Sequence, residues 1–157
     1  MKKQLKTWAQ ASDGDCAYKL ATIYQTEGDL KNYAEWLEKS AATKNFDAMK
    51  DYAKLLAEKG EHEKALAIYK ELAQTFNDEE SMENIVDLYE RGLCDKDTLN
   101  FILEHINKNF NEIYQMKNFA RVFAFQTLRP DECTMEYLQA VKRRRIAARI
   151  RKLFVED

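Results

Sequence analysis

A chain of 157 residues is long enough for one domain with a sizeable core, and four glycines, one proline and a surplus of Ala, Leu, Lys and Glu predict an almost wholly helical protein. The net charge is only −2, yet residues 142–157 carry +5 and the rest of the chain −7. No run approaches the ~18 apolar residues of a membrane span, no apolar segment follows Met1-Lys2-Lys3, and three widely spaced cysteines do not fit a disulfide framework. We therefore expect a cytoplasmic protein.

Three glycines, Gly28, Gly60 and Gly92, follow one another at an interval of thirty-two residues. Glycine is preferred where a helix ends and the backbone needs a positive φ, so this register predicts three equivalent turns between paired helices. Similar residues recur before each glycine: Tyr24, Leu56 and Leu88 at four residues, Ala21, Ala53 and Ile85 at seven, and Ala17, Met49 and Ser81 at eleven. Because one helix pair cannot cover its own apolar face, the pairs must stack, which predicts a solenoid.

In chain order, the predicted helices are a short one at 3–11 around Trp8 and then three pairs, 14–27 with 29–43, 45–59 with 61–76, and 78–91 with 95–107. We predict a break at 107–109, an apolar helix at 110–127 and a last helix from Pro130, because proline suits a first turn but disfavours helix in the residue before it. The whole chain, 1–157, would form a single domain. It would consist of repeats over 13–106, an apolar helix over 107–128 and a basic capping helix over 129–157.

The second repeat unit resembles the tetratricopeptide repeat. Its counterparts to W-x-x-L-G-x-x-Y…A-x-x-x-F-x-x-A are Met49, Tyr52, Ala53, Leu56, Ala65, Tyr69 and, one place late, Ala73. The stretch WLEKSAATKNFDAMKDYAKLL is more similar to the related Sel-like repeat, so the subfamily stays open. The period is two residues short of the usual thirty-four, and the third unit departs from the pattern at Asn84 and Asp97. The resemblance covers about 13–106. It implies an all-α, right-handed α-solenoid of three helix-turn-helix repeats with a C-terminal capping helical pair.

The resemblance also implies a binding site, because the first helices of this family line a concave groove that holds peptides or protein segments. The corresponding residues are Tyr18, Thr22, Gln25, Lys50, Lys54, Ala57, Met82, Val86 and Tyr89. They include no asparagine and only two cations, so we do not expect the carboxylate clamp of chaperone-binding members. Such a mixed groove suits a partner segment with an acidic residue and apolar anchors. The alternative is that Met82 and Val86 pack beneath the following helix.

The basic tail, KRRRIAARIRKLF at 142–154, is amphipathic at the helical period. Its apolar face holds Ile146, Ala147, Ile150, Leu153 and Phe154, with Arg143 on the same side. Its basic face holds Lys142, Arg144, Arg145, Arg149, Arg151 and Lys152. One interpretation is a cap that buries this apolar face on the end of the repeats.

Three functional interpretations of the basic tail stay open: binding of nucleic-acid phosphates, of an anionic membrane, or of an acidic protein surface, including that of a second copy. The acidic remainder of the chain weakens the first, and the modest apolar bulk of the tail weakens the second.

The stretch FARVFAFQTL, 119–128, is apolar on almost every side, and we predict that it is buried. Displacement of the last helix would expose Phe119, Phe123 and Phe125 as a patch for association.

The sequence shows no catalytic constellation. His62 and His105 have no Cys or second His at metal-ligand spacing, and Cys94-Asp95 has nothing to orient it, so we predict neither a metal nor a cofactor. Our hypothesis is a non-enzymatic adaptor or scaffold that binds a partner protein or peptide through the groove and the basic tail. The alternative is a nucleic-acid-binding regulatory protein that uses the arginine-rich helix.

Overall fold

The structure is a computed structural model that describes the backbone of residues 2–10, 13–123 and 130–155, and the side chains of 2–9, 13–109, 139 and 141–155. The helices are α1 (Lys2–Gln10), α2 (Gly14–Thr26), α3 (Leu30–Ala42), α4 (Phe46–Glu58), α5 (His62–Phe76), α6 (Glu79–Glu90), α7 (Lys96–Phe123) and α8 (Pro130–Val155). No β-strand occurs in this described part. The all-α prediction is confirmed for it.

Backbone contacts divide the chain into two compact units, Met1–Phe76 (unit 1) and Asn77–Asp157 (unit 2). In unit 1, α1 packs on α2, α2 on α3, α3 on α4 and α4 on α5, so that consecutive helices are neighbours. In unit 2, the three helices α6, α7 and α8 pack on one another. Each unit is described by itself, and the single domain over 1–157 stays a prediction.

The three glycines in register end three helices in the same way. Gly28, Gly60 and Gly92 have φ of 76°, 82° and 72°. Each donates its N–H to the carbonyl three residues back, and the next residue donates to the carbonyl five residues back, at 2.8–3.1 Å throughout. This is the Schellman pattern, in which a left-handed residue satisfies the last carbonyls of a helix. The three helix ends at these glycines are therefore equivalent, as predicted.

The starts of α2, α4 and α6, the helices that end at these glycines, also match. The side chains of Asp13, Asn45 and Asp78 accept a hydrogen bond from the backbone N–H three residues later, at 3.0, 3.0 and 2.9 Å. An oxygen at this position satisfies one of the N–H groups that a helix start leaves without a partner. In addition, Lys44 and Asn77, which immediately precede two of these caps, both have positive φ.

The residues that recur before the glycines form the core of the hairpins. All nine residues at four, seven and eleven places before them are buried, and so are Tyr33, Leu37, Ala41, Ala65, Tyr69 and Ala73 on the second helices of unit 1. Small side chains, mostly alanines, stand among larger apolar and aromatic ones in this set. They allow close packing at the alanines and fill space at the tyrosines.

Two details of the sequence-based prediction are wrong. The predicted break at 107–109 does not exist, because α7 is continuous. No glycine or proline stands there, and Asn109 bonds with His105 one turn earlier, so its side chain does not compete with the helix backbone. In addition, α7 begins four residues after its glycine, whereas α3 and α5 begin two residues after theirs. Asp97, five residues after Gly92 as the buried Ala65 is after Gly60, is therefore exposed, and Thr98 and Leu99 are buried instead.

Candidate binding surfaces

The first helices of unit 1 are joined by a hydrogen bond between side chains. Tyr18 Oη, on α2, donates to Asp51 Oδ2, on α4, at 2.9 Å. At the starts of the same helices, Asn45 Nδ2 donates to Asp15 Oδ1 at 2.6 Å. These two bonds place α2 beside α4 and define the α2–α4 face, which consists of Tyr18, Thr22, Gln25, Lys50, Asp51 and Lys54.

Tyr18 is half-buried on this face, and the surroundings keep its phenol protonated. Burial, followed by the hydrogen bond to Asp51, raises the pKa of Tyr18 to about 12. Burial also raises the pKa of Tyr33, with Asp51 as the next cause. At neutral pH Tyr18 is thus neutral, and its hydroxyl donates to Asp51.

The other predicted groove residues of unit 1 remain accessible. Gln25 and Lys54 are exposed, while Thr22, Lys50 and Ala57 are half-buried. Lys50 Nζ lies 5.4 Å from the centre of the Phe46 ring, and Thr22 Oγ1 donates to the carbonyl of Lys19 at 2.8 Å. The face therefore presents two cations beside the carboxylate of Asp51, so its charge is mixed rather than basic.

The groove residues predicted in unit 2 are not accessible in the same way. Met82 and Val86 are completely buried, so their assignment as partner-binding side chains is wrong for this structure, and they pack inside the unit instead. Tyr89 is half-buried. The reason is that α6 has both α7 and α8 packed against it, and its apolar positions serve as the core of these contacts.

The basic tail packs through its apolar face. Ile146, Ala147 and Ile150 are buried, and Leu153 and Phe154 are half-buried. Arg143, which the helical period places on this side, is also buried. Its Nε donates to Glu79 Oε1 at 2.7 Å, and the two side chains are only 11% and 16% exposed.

A second arginine of the tail also binds α6. Arg149 donates to Asp87 Oδ1 at 2.7 Å and to Glu90 at 2.6 and 2.9 Å. The hydrogen bond from Arg149 lowers the pKa of Glu90, and the bond to Glu90 raises that of Arg149. Acidic residues of α6 thus neutralise one of the six cations predicted as the basic site.

The other five cations of the predicted basic site are exposed: Lys142, Arg144, Arg145, Arg151 and Lys152. Arg151 Nη2 donates to Asn107 Oδ1 at 3.2 Å, which ties the end of α8 to α7.

The predicted burial of the segment 119–128 concerns side chains that lie outside the described residues, and those of Phe119, Phe123 and Phe125 are among them.

The histidines do not form a metal site in the part of the chain that the structure describes, where no group of three His, Cys, Asp or Glu residues is arranged to hold an ion. His105 Nε2 lies 2.8 Å from Asn77 Oδ1 and 2.9 Å from Asn109 Nδ2, which gives it a structural role at the start of unit 2. His62 is half-buried. Among the described residues, no helix is both long and apolar enough to span a bilayer.

Comparison of the chain with models of protein families, with curated proteins and with solved structures gave no match.

Sequence reasoning missed two residues that shape these surfaces. Asp51 was not among the predicted groove residues, although it stands one turn from Asp47 and from Lys54 on the same helix and could have been assigned to that face by its spacing. Trp8 was predicted only to lie in a short leading helix, yet the residue is 56% exposed. No local pattern signals this exposure, because it depends on what packs beside α1.

Proposed function

We propose that this chain is a helical-repeat protein, a solenoid of three helix-turn-helix units, that acts as a non-enzymatic adaptor and binds a segment of a partner protein on the α2–α4 face. The observation that carries the proposal is the recurrence of the same glycine turn at one fixed interval. Stacked hairpins of this kind expose a row of neighbouring first helices, and such rows form extended binding surfaces.

The chemistry of the α2–α4 face indicates what kind of segment would bind. Tyr18 is held rigid by Asp51, and a rigid aromatic side chain gives contact area at a small entropic cost. Lys50 and Lys54 provide positive charge beside it, and Gln25 can both donate and accept hydrogen bonds. A partner segment with an acidic residue for the lysines and an apolar side chain for Tyr18 would be complementary to this face. With Met82 and Val86 buried, the surface for this segment is restricted to unit 1.

Nucleic-acid binding by the basic tail is the weaker alternative. The ion pairs of Arg149 with Asp87 and Glu90 place carboxylates next to one of the six cations that would have to meet phosphates. Carboxylates repel the backbone of a nucleic acid and oppose counterion release. The cytoplasmic location inferred from composition stays a prediction.

Site-specific photocrosslinking tests the proposed face. A photoreactive phenylalanine analogue is placed at Gln25 or Lys54, both exposed on first helices, and the full chain is irradiated in lysate of its own cell. The matched control is Gln74, an exposed residue on the second helix α5. We expect the same protein adduct from Gln25 and Lys54, absent from Gln74, because a segment on this face lies within reach of both helices.

The result that contradicts the proposal is equal labelling from all three positions, or adducts from Gln74 alone. Substitution of Lys54 by Glu provides an independent measurement. It reverses a charge at the surface without touching the core, so it should weaken recovery of the adduct from Gln25 by about fivefold while the helical circular dichroism of the chain is unchanged.

A further inference from the structure

Two charged stripes of the same spacing lie on neighbouring helices of unit 2. Residues that follow one another at intervals of three, four and three positions lie along one side of a helix. An acidic residue stands at each place of such a series on α6, and a basic residue at each place of such a series on α8. The acidic stripe consists of Glu80, Glu83, Asp87 and Glu90, and the basic stripe of Lys142, Arg145, Arg149 and Lys152.

Both stripes are accessible, and they border each other. Every residue of the acidic stripe is exposed, and so is every residue of the basic stripe except Arg149, which is half-buried. Arg149 bonds with Asp87 and Glu90, so the basic stripe lies on the side of α8 that meets the acidic stripe of α6. We call this surface the α6–α8 side of unit 2. It carries negative charge along one helix and positive charge along the other.

The hydrogen bonds between the two helices show how the stripes are aligned. Glu79, at the start of α6, bonds with Arg143, whereas Asp87 and Glu90, towards its end, bond with Arg149, so α6 and α8 run in the same direction. The bonded residues are 64, 62 and 59 positions apart in sequence. Corresponding members of the two stripes are all 62 positions apart, as Asp87 and Arg149 are. Corresponding members therefore lie at about the same height along the two helices.

This placement of opposite charges side by side restricts what can cover the α6–α8 side. A nucleic acid or an anionic membrane is negative throughout, so the acidic stripe would repel it next to the place where the basic stripe attracts it. A complementary surface must instead present basic groups to the acidic stripe and acidic groups to the basic stripe, at the same spacing. The chain itself carries such a surface. A two-fold rotation about an axis parallel to the helices lays each stripe of one copy on the opposite stripe of the other.

We propose that the α6–α8 side is the interface of a homodimer with two-fold symmetry, in which the acidic stripe of each protomer contacts the basic stripe of the other. The rotation keeps the height along the helices, so the facing residues are again 62 positions apart. Asp87 and Arg149, which are bonded within each chain, lie close to the axis. The pairs between protomers are Glu80 with Lys142, Glu83 with Arg145 and Glu90 with Lys152, each formed twice. This interface goes beyond the proposed α2–α4 face, because it lies in unit 2 and joins two copies of the chain.

Reversal of charge at positions 83 and 145 tests the proposal. The variants of the full chain are Glu83→Arg and Arg145→Glu, and sedimentation velocity at low salt is measured for the wild type, for each variant and for an equimolar mixture of the two. Each variant alone brings like charges together at two places of its homodimer. A heterodimer of the two variants regains opposite charges at both places. Mixing cannot restore a pair that forms within one chain, so the mixture distinguishes contacts between chains from contacts within a chain.

We expect the wild type to dimerise at low salt and to dissociate at ~1 M salt, where the Debye length falls to ~3 Å. Each variant alone should dimerise about 30-fold more weakly, and the mixture should return to within about threefold of the wild type. Arg144→Glu is the matched control, because Arg144 is the neighbouring exposed cation on another side of α8, and it should change dimerisation by less than about threefold. All these substitutions are at exposed positions, so the helical circular dichroism should be preserved.

Four results would overturn the proposal. The first is a wild type that stays monomeric at low salt up to ~1 mM, the weakest affinity that a specific contact would show. The second is a dimer that salt or either variant leaves intact, and the third is a mixture that dimerises as weakly as its two components. The fourth is an equal loss of dimer in Arg144→Glu and Arg145→Glu, which would assign the effect to net charge. None of these results bears on crosslinking from Gln25 and Lys54 in unit 1.

Discussion

At the scale of single residues, two glycines of unit 1 are required for different physical reasons. Gly60 has a φ of +82°, and a Cβ added to it would meet nothing within 4 Å, so only the backbone conformation demands glycine there. Gly14 is helical, and its added Cβ would lie 2.0 Å from Thr43 Oγ1, so close packing of α2 on the end of α3 demands it. The register of glycines made the first requirement predictable. The second depends on a contact between residues that are far apart in sequence.

Replacement of Gly60 by Ala should lower the free energy of unfolding by about 1 kcal/mol, which is the cost of a left-handed conformation for a residue with a Cβ. Lys59→Ala, at the neighbouring exposed position with a φ of −76°, is the matched control and should change stability by less than about 0.5 kcal/mol. Urea unfolding followed by circular dichroism measures both. A loss above ~3 kcal/mol in Gly60→Ala would show that the turn carries more than its own conformation.

At the scale of helices, α8 is held on α6 by apolar contacts and by ion pairs of unequal burial. The pair of Arg143 with Glu79 is nearly buried, whereas Arg149 and its partners are 38–54% exposed. Exposed pairs contribute little because water and salt screen them. A buried charge that loses its partner is costly, because it cannot regain water without rearrangement. The position of α8 is therefore more sensitive to Glu79 than to Asp87 or Glu90.

Substitution of Glu79 by Gln should destabilise unit 2 by about 2 kcal/mol, since Arg143 would keep its charge in a mostly buried place without a carboxylate. Glu83→Gln, on an exposed position of the same helix, makes the same chemical change and should cost less than about 0.5 kcal/mol. Hydrogen exchange of the α8 amides, measured by mass spectrometry, locates the effect. Equal exchange in the two variants would contradict a specific role of the Arg143–Glu79 pair.

At the scale of the whole molecule, the chain divides into two compact units, and unit 1 contains its own core. Leu20 and Leu37 are completely buried in it, and the rings of Phe46 and Phe76 pack edge to face at 5.0 Å between centroids. Each of its helices packs on the next one in sequence, so most of its contacts are local. Proteins rich in local contacts fold rapidly, and a unit with its own core can in principle fold alone.

The fragment 1–76 should therefore fold by itself. We expect a helical circular dichroism spectrum and a cooperative urea transition from the isolated fragment. The same fragment with Leu37→Ala is the control, because removal of a completely buried leucine costs about 3 kcal/mol and should broaden or abolish the transition. A fragment with the spectrum of an unfolded chain would show that unit 1 requires residues of 77–157.

The parts of the fold that sequence predicts well are those set by local chemistry. The helix-ending glycines depend mainly on neighbours along the chain, and the helical period marks the residues four, seven and eleven places before them as one apolar side. The two extra residues before α7 shift it out of the register that α3 and α5 keep with their glycines, and no residue type marks such an insertion. The burial of Met82 and Val86 was left open because it depends on α8, sixty residues away in sequence.

Among the described residues, Lys44 and Asn77 are the two residues other than glycine that have a positive φ. Each leaves a second helix and is followed at once by the capping residue of a first helix, Asn45 or Asp78. The segment 45–76 accordingly starts on a cap, encloses one glycine turn and stops just before the next such joint. Duplication or deletion of the segment 45–76 in a single genetic event would keep the neighbouring helices in their thirty-two-residue register. Chains with more or fewer such helix pairs could therefore arise without a change in the sequence of any helix.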